Sequence, residues 1–180
     1  MSQVCVITGG TSGIGRCTAQ AMLARGYTVY ELSRRAEGVA GMQHIVADVT
    51  KEETLAAAVA QILQREDHID VLINNAGFGV CGSFLETSGE KELSMAKVNV
   101  LAMHQLFKFA VKKMEAQGFG TVLNVASSAG LLPGGPYMAG YYATKAYVVS
   151  LTRGVAEELR QQHSPVYVCA KSEANGLRKT

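Results

Sequence analysis

A chain of 180 residues suits one domain with a single substantial core, and 48% hydrophobic against 18% charged residues is a globular balance, not a disordered one. A net charge of +2 gives no footing to a nucleic-acid or membrane-surface binder, and no apolar run nears the roughly 20 residues of a membrane span. With no basic leader at Met1-Ser2-Gln3-Val4, the default expectation is a cytoplasmic protein.

Val4-Cys5-Val6-Ile7 reads as a buried strand, and residues 14–24 as a helix stopped by Gly26. A second strand covers 27–32 and a third His44-Ile45-Val46-Ala47. From 50 to 65 the apolar positions Leu55, Ala58, Val59 and Ile62 recur at helical spacing, with Thr50 as N-cap and Glu53 completing a capping box. Val71-Leu72-Ile73 is a fourth strand, 93–117 a long helix ended by Gly118, and 121–126 a fifth strand. A helix over 141–162 and a sixth strand over 166–169 follow. Strands apolar on both faces, separated by helices, require a parallel sheet covered on both sides. Right-handed crossovers make that a doubly wound α/β domain. It occupies residues 1–170, followed by a polar tail at 171–180.

The first strand runs into Thr8-Gly9-Gly10-Thr11-Ser12-Gly13-Ile14-Gly15, where a helix opens at once. In that position one glycine permits a tight turn, another lets the backbone approach a pyrophosphate, and a third lets helix pack on strand. The open N–H groups and positive helix end attract phosphate. The literal G-x-G-x-x-G at Gly77-Phe78-Gly79-Val80-Cys81-Gly82 opens no helical pattern and reads as a loop. No G-x-x-x-x-G-K-[ST] is present, which argues against a kinase or NTPase of the P-loop kind.

The G-x-x-x-G-x-G spacing of Gly9, Gly13 and Gly15 resembles the short-chain dehydrogenase/reductase family. The resemblance implies a Rossmann fold and an oxidoreductase moving hydride between a nicotinamide cofactor and a carbonyl or secondary alcohol. It assigns Gly9, Thr11, Ser12, Gly13, Ile14 and Gly15 to the cofactor, Asp48 and Val49 to the adenine edge, and Asn75, Ala76 and Gly77 of Asn74-Asn75-Ala76-Gly77 to the strand end over the cofactor. Ser33 stands where the family usually puts the acid that binds the adenosine ribose, and Arg34 follows. An arginine pairs with a 2′-phosphate, which a carboxylate would repel. NADP(H) is therefore expected to be preferred, with NAD(H) as the alternative because Glu31 lies one register step away.

Tyr141 and Lys145 share a face at the start of a predicted helix. An ammonium beside a phenol favours phenolate and makes it a usable general acid and base. The second Y-x-x-x-K, Tyr167 to Lys171, starts in a strand, where residues four apart lie about 13 Å apart. By the same resemblance Ser128, thirteen residues before Tyr141, holds the substrate oxygen, with Ser127 the alternative, and Asn99 holds a water linking Lys145 to bulk solvent. The resemblance also counts Tyr141 and Lys145 among the cofactor-binding residues, Lys145 at the nicotinamide ribose. His44, His68, His104 and His163 do not cluster in the sequence and are assigned surface or packing roles.

Cys5, Cys17, Cys81 and Cys169 form no CxxC pair and have no histidine at ligand spacing, so no metal is expected and they read as small buried hydrophobes in a reducing compartment. Family members continue after the sixth strand with a Pro-Gly motif, a substrate-covering segment and a seventh strand, and are homo-oligomers when intact. Here Lys171-Ser172-Glu173 follows Ala170. The expectation is a chain altered after Ala170 with a missing C-terminal strand, and the alternative function is a catalytically impaired dinucleotide-binding protein or inactive oligomer partner.

Overall fold

The computed structural model describes residues 2–171. Strand β1 (Val4–Thr8) is buried at all five positions because it lies mid-sheet, between β2 (Thr28–Ser33) and β4 (Val71–Asn74). Beyond them lie β3 (Gln43–Val46), β5 (Gly120–Val125) and β6 (Val166–Lys171), giving the order β3-β2-β1-β4-β5-β6 with every pairing parallel. The strand order reverses between β1 and β4, and the crevice beyond their carboxyl ends is where such sheets bind ligands. The expected doubly wound fold is therefore the observed one. Lys171, expected to open the polar tail, is the last residue of β6, and the rest of that tail lies outside the described residues.

Alternation along β1 divides the core. Val4 and Val6 join Tyr30, Leu32, Ile45 and Leu72, together with residues of α2 (Glu52–Arg65) and α4 (Met103–Gln117). Cys5 and Ile7 face the other way, onto Val29, Ile73 and Ala19 of α1 (Gly13–Ala24). Fully buried side chains of the size of Ile7 and Leu32 are each worth about 1.5–3 kcal/mol of apolar transfer. Helix α3 (Gly89–Ala96) and α5 (Ala139–Gln161) complete the set. Among the described residues no helix is long and apolar enough to cross a membrane.

Three expectations need correction. Lys51, not Thr50, is the N-cap of α2, and it makes no side-chain cap bond. Thr50 instead bonds Asp48 Oδ1 through its N–H (3.0 Å) and its hydroxyl (2.7 Å), a local turn that competes with capping. The single helix over 93–117 is three pieces: α3, a π-helical segment Lys97–Ala102, and α4. Cys17 and Cys81 are exposed; only Cys5 fits the buried reading in full, and burial followed by the charge on Asp70 pushes its thiol up to about 12.

Candidate active site

The turn after β1 is clamped to the end of β4. The Thr8 hydroxyl accepts from the N–H groups of Asn75 (3.1 Å) and Ala76 (3.0 Å), while Asn75 Nδ2 donates to the carbonyls of Thr8 and Gly9, both at 3.0 Å. Gly9 and Gly13 hold positive φ, 68° and 53°, where a side chain would be strained. Ser12 is the N-cap of α1; its carbonyl accepts from the Arg16 N–H at 3.1 Å, but its side chain makes no cap bond. The first N–H groups of that helix thus have no side-chain cap and meet the cleft, the donor set an anionic phosphate needs.

That cleft encloses about 840 Å³ and runs from the glycine turn past the ends of β2, β3, β4 and β5 to α5. Gly9, Thr11, Ser12, Gly13, Ile14 and Gly15 line it, as do Ser33, Arg34, Asp48, Val49, Asn75, Ala76, Gly77, Tyr141 and Lys145. Glycine at 13 leaves open the space that a Cβ would fill, with no protein atom within 4 Å, so these residues fit an extended anionic dinucleotide. At the far end Asp48 is partly buried, which pushes its carboxyl up. The bonds from the Thr50 hydroxyl and N–H, with the charges of Arg34 and Lys51, outweigh that, and it titrates below the ordinary value.

Tyr141 lies in the first turn of α5, and Lys145 one turn on is buried. The Lys145 ammonium stands 5.8 Å from the centre of the Tyr141 ring and donates to the Val125 carbonyl at 2.8 Å. Asn99 and Ser128 are not among the cleft-lining residues. Asn99, buried in the π-helical segment, donates from Nδ2 to the Phe78 carbonyl (2.8 Å) and Thr144 Oγ1 (3.1 Å) and accepts from the Phe78 N–H (3.1 Å). It pins the loop after β4 against α5. Ser128 is exposed and opens a short 3₁₀ turn, Ser128–Gly130; Ser127 is buried, with its hydroxyl accepting from the Ala129 N–H at 3.2 Å. Tyr167, of the second Y-x-x-x-K, sits exposed on β6.

Other residues in and behind the cleft escape a reading by motif. Phe78, Gly79, Val125 and Ala126 also line the cleft; only their position at or just beyond a strand end marks them. Glu31 does not line the cleft: it is buried, accepting from the Gly10 N–H at 2.9 Å and meeting His44 Nδ1 at 2.6 Å, so His44 has a specific partner rather than a general packing role.

Glycine turn, clamp, cleft and Tyr–Lys pair stand together at the carboxyl edge of a doubly wound sheet of the Rossmann class. A family model described as short chain dehydrogenase matches residues 3–173, and the chain belongs to that family. It is 34% identical over 175 residues to a 3-ketodihydrosphingosine reductase of Bacteroides thetaiotaomicron, covering 96% of this chain and 64% of that one. It thus spans less than two thirds of that relative's length. A mouse 3-oxoacyl-[acyl-carrier-protein] reductase is 32% identical over 178 residues, covering 94% of this chain and 75% of its own. Among solved structures, ElxO with NADP bound superposes with a TM-score of 0.86 at 29% identity, covering 96% of this chain and 73% of that one. The 3-ketoacyl-(acyl-carrier-protein) reductase of Brucella melitensis complexed with NADH matches at 0.86 and 29%, covering 94% and 74%.

Proposed function

We propose that the protein is an oxidoreductase that transfers hydride between NADP(H) and a ketone or secondary alcohol. The observation that carries this is the meeting of Tyr141 and Lys145 with the glycine turn along one continuous cleft. When bound, the nicotinamide supplies or accepts the hydride. The protein's part is the proton: the Tyr141 hydroxyl gives it to the substrate oxygen in reduction and takes it back in oxidation. Lys145, fixed through the Val125 carbonyl with its ammonium 5.8 Å from the Tyr141 ring centre, would hold the nicotinamide ribose. Ser128, opening the 3₁₀ turn after β5, is the proposed holder of the substrate oxygen, with Ser127 the alternative. Asn99 is proposed to position the loop at 77–78 and, through it, the proton route from Lys145.

The preference for NADP(H) rests on Arg34 and Ser33 at the adenosine end, with Glu31 withdrawn from the cleft. Relatives with NADP and with NADH both resemble this chain, so the choice rests on these side chains alone. The reading of the chain as a mere dinucleotide binder is not favoured, because a binder has no need of Tyr141 and Lys145 in the cleft. A homo-oligomer acting on a small carbonyl substrate completes the proposal.

The test is the dissociation constant of each cofactor, followed by turnover on a panel of ketones that includes a 3-oxoacyl thioester. NADPH should bind about tenfold or more tightly than NADH, and Ser33→Asp with Arg34→Ala should reverse the order. Equal affinity in the unmodified chain would overturn the preference; no turnover with any ketone would overturn the activity.

A further inference from the structure

Glu31 and His44 are register partners on β2 and β3, and their side chains meet beneath the adenosine end of the cleft. Glu31 is fully buried. Its Oε1 accepts from the Gly10 N–H at 2.9 Å, so one carboxylate oxygen braces the glycine turn. A Cβ on residue 10 would stand 2.6 Å from Glu31 Cγ, which accounts for glycine there. Its Oε2 has two neighbours, His44 Nδ1 at 2.6 Å and the Ser33 hydroxyl at 3.3 Å. His44 Nε2 lies 3.0 Å from the Arg35 carbonyl. The backbone at Gly38 closes over the ring, since a Cβ there would lie 2.4 Å from His44 Cβ. A buried carboxylate and a half-buried imidazole therefore tie together the glycine turn, the end of β2 and the loop carrying Arg34 and Arg35.

The proton count follows from the partners. A carbonyl only accepts, so Nε2 carries a hydrogen toward Arg35. The contact between Nδ1 and Oε2 needs one more, and with it the pair is neutral as a unit. Oε2 is then satisfied by a short, charge-assisted bond. Ser33, at the longer distance, is the weaker of its two donors and the one able to turn away. Without the imidazole proton, a buried carboxylate would keep the Ser33 hydrogen for itself. Ser33 would then present only lone pairs to the cleft, with an uncompensated negative charge one hydrogen bond behind them. A ribose hydroxyl tolerates that, because it can donate; a 2′-phosphate does not.

We propose that the Glu31–His44 pair is a specificity-determining clasp, in which His44 neutralises Glu31 and so frees the Ser33 hydroxyl to donate to a 2′-phosphate. This rests on the reading of Ser33 and Arg34 as the 2′-phosphate site. Both members are positioning residues, acting on the ligand through Ser33 and the loop after β2.

The experiment measures dissociation constants of NADPH and NADH by cofactor fluorescence, with melting temperatures, for the whole chain and four variants. His44→Gln should weaken NADPH by about tenfold, as expected for one uncompensated charge near a phosphate, while NADH changes by less than about threefold. In steady state the loss should fall in KM for NADPH and not in kcat. Glu31→Gln with His44→Gln, which removes the charge as well as the imidazole, should restore most of the NADPH affinity. Glu31→Gln alone should keep NADPH within about threefold, and decides the matter should His44→Gln fail to fold. An equal loss for both cofactors in His44→Gln, no loss at all, or no recovery in the double variant would overturn the clasp. Arg34→Ala separates the two readings. If it leaves the NADPH-to-NADH ratio unmoved, the 2′-phosphate site itself is wrong and the clasp falls with it. If it lowers the ratio while His44→Gln does not, only the clasp fails.

Discussion

A phenol and an ammonium four residues apart on a helix must share a face, and at Tyr141 and Lys145 the consequence is chemical because that face is a wall of the cleft. Lys145 is tethered at the Val125 carbonyl, so its charge is held beside the ring even without substrate. Removing the hydroxyl leaves the ring, the tether and the glycine turn in place. Tyr141→Phe should therefore lower kcat by about 10²-fold or more while cofactor binding stays within about twofold. Single-turnover rates beside a cofactor titration would check it. A mild effect there, with a large one from Tyr142→Phe or Tyr167→Phe, would move the proton-transfer role elsewhere. Tyr141 and Lys145 were legible in the sequence because their spacing is local. Glu31 and His44 were not: thirteen residues separate them, and only the β2–β3 register brings them together.

At the scale of the element, the glycine turn is built from parts that constrain one another. Glycine is needed at 13 for its positive φ and at 15 for want of room. A Cβ on residue 15 would lie 2.2 Å from the Gly9 carbonyl oxygen and 2.3 Å from Asn75 Nδ2, which are joined by a clamp bond. Gly15→Ala must displace either the turn or the β4 loop. The expected cost is about 1–3 kcal/mol of stability, as for other overpacked sites, with cofactor affinity lost by about tenfold or more. Denaturant unfolding and a cofactor titration read the two separately; unchanged affinity would mean that the turn does not contact the phosphates. The strands and most helices were legible from apolar runs and glycine stops. The π-helical break was not, because Leu93 to Gln117 keeps apolar spacing through the widened turn. Thr50 was misread because its N–H and hydroxyl both donate to Asp48 Oδ1, which holds it in a turn and leaves the cap position to Lys51.

For the molecule as a whole, the cleft draws on the carboxyl ends of five strands and the first two turns of α5, so a ligand lying along it touches most of the sheet. Anything that binds the folded chain and not the unfolded one stabilises it by mass action, about 2.7 kcal/mol at a hundred times the dissociation constant. For a chain of this length each kcal/mol moves the melting temperature by about 2–4 °C. Saturating NADPH should therefore raise it by about 5–10 °C, and NADH at the same concentration by less. On the proposed reading of Ser33 and Arg34 the ratio of the two shifts depends on those residues, so Arg34→Ala should bring them together by reducing the NADPH shift. A dye-based melt across a concentration series of each cofactor reads this directly. The shift must keep growing with the logarithm of concentration once the site is saturated, since mass action has no plateau while only the folded chain binds. A shift that levels off would mean that the unfolded chain binds as well. No shift with either cofactor would show that the cleft, however well formed, is not a nicotinamide dinucleotide site.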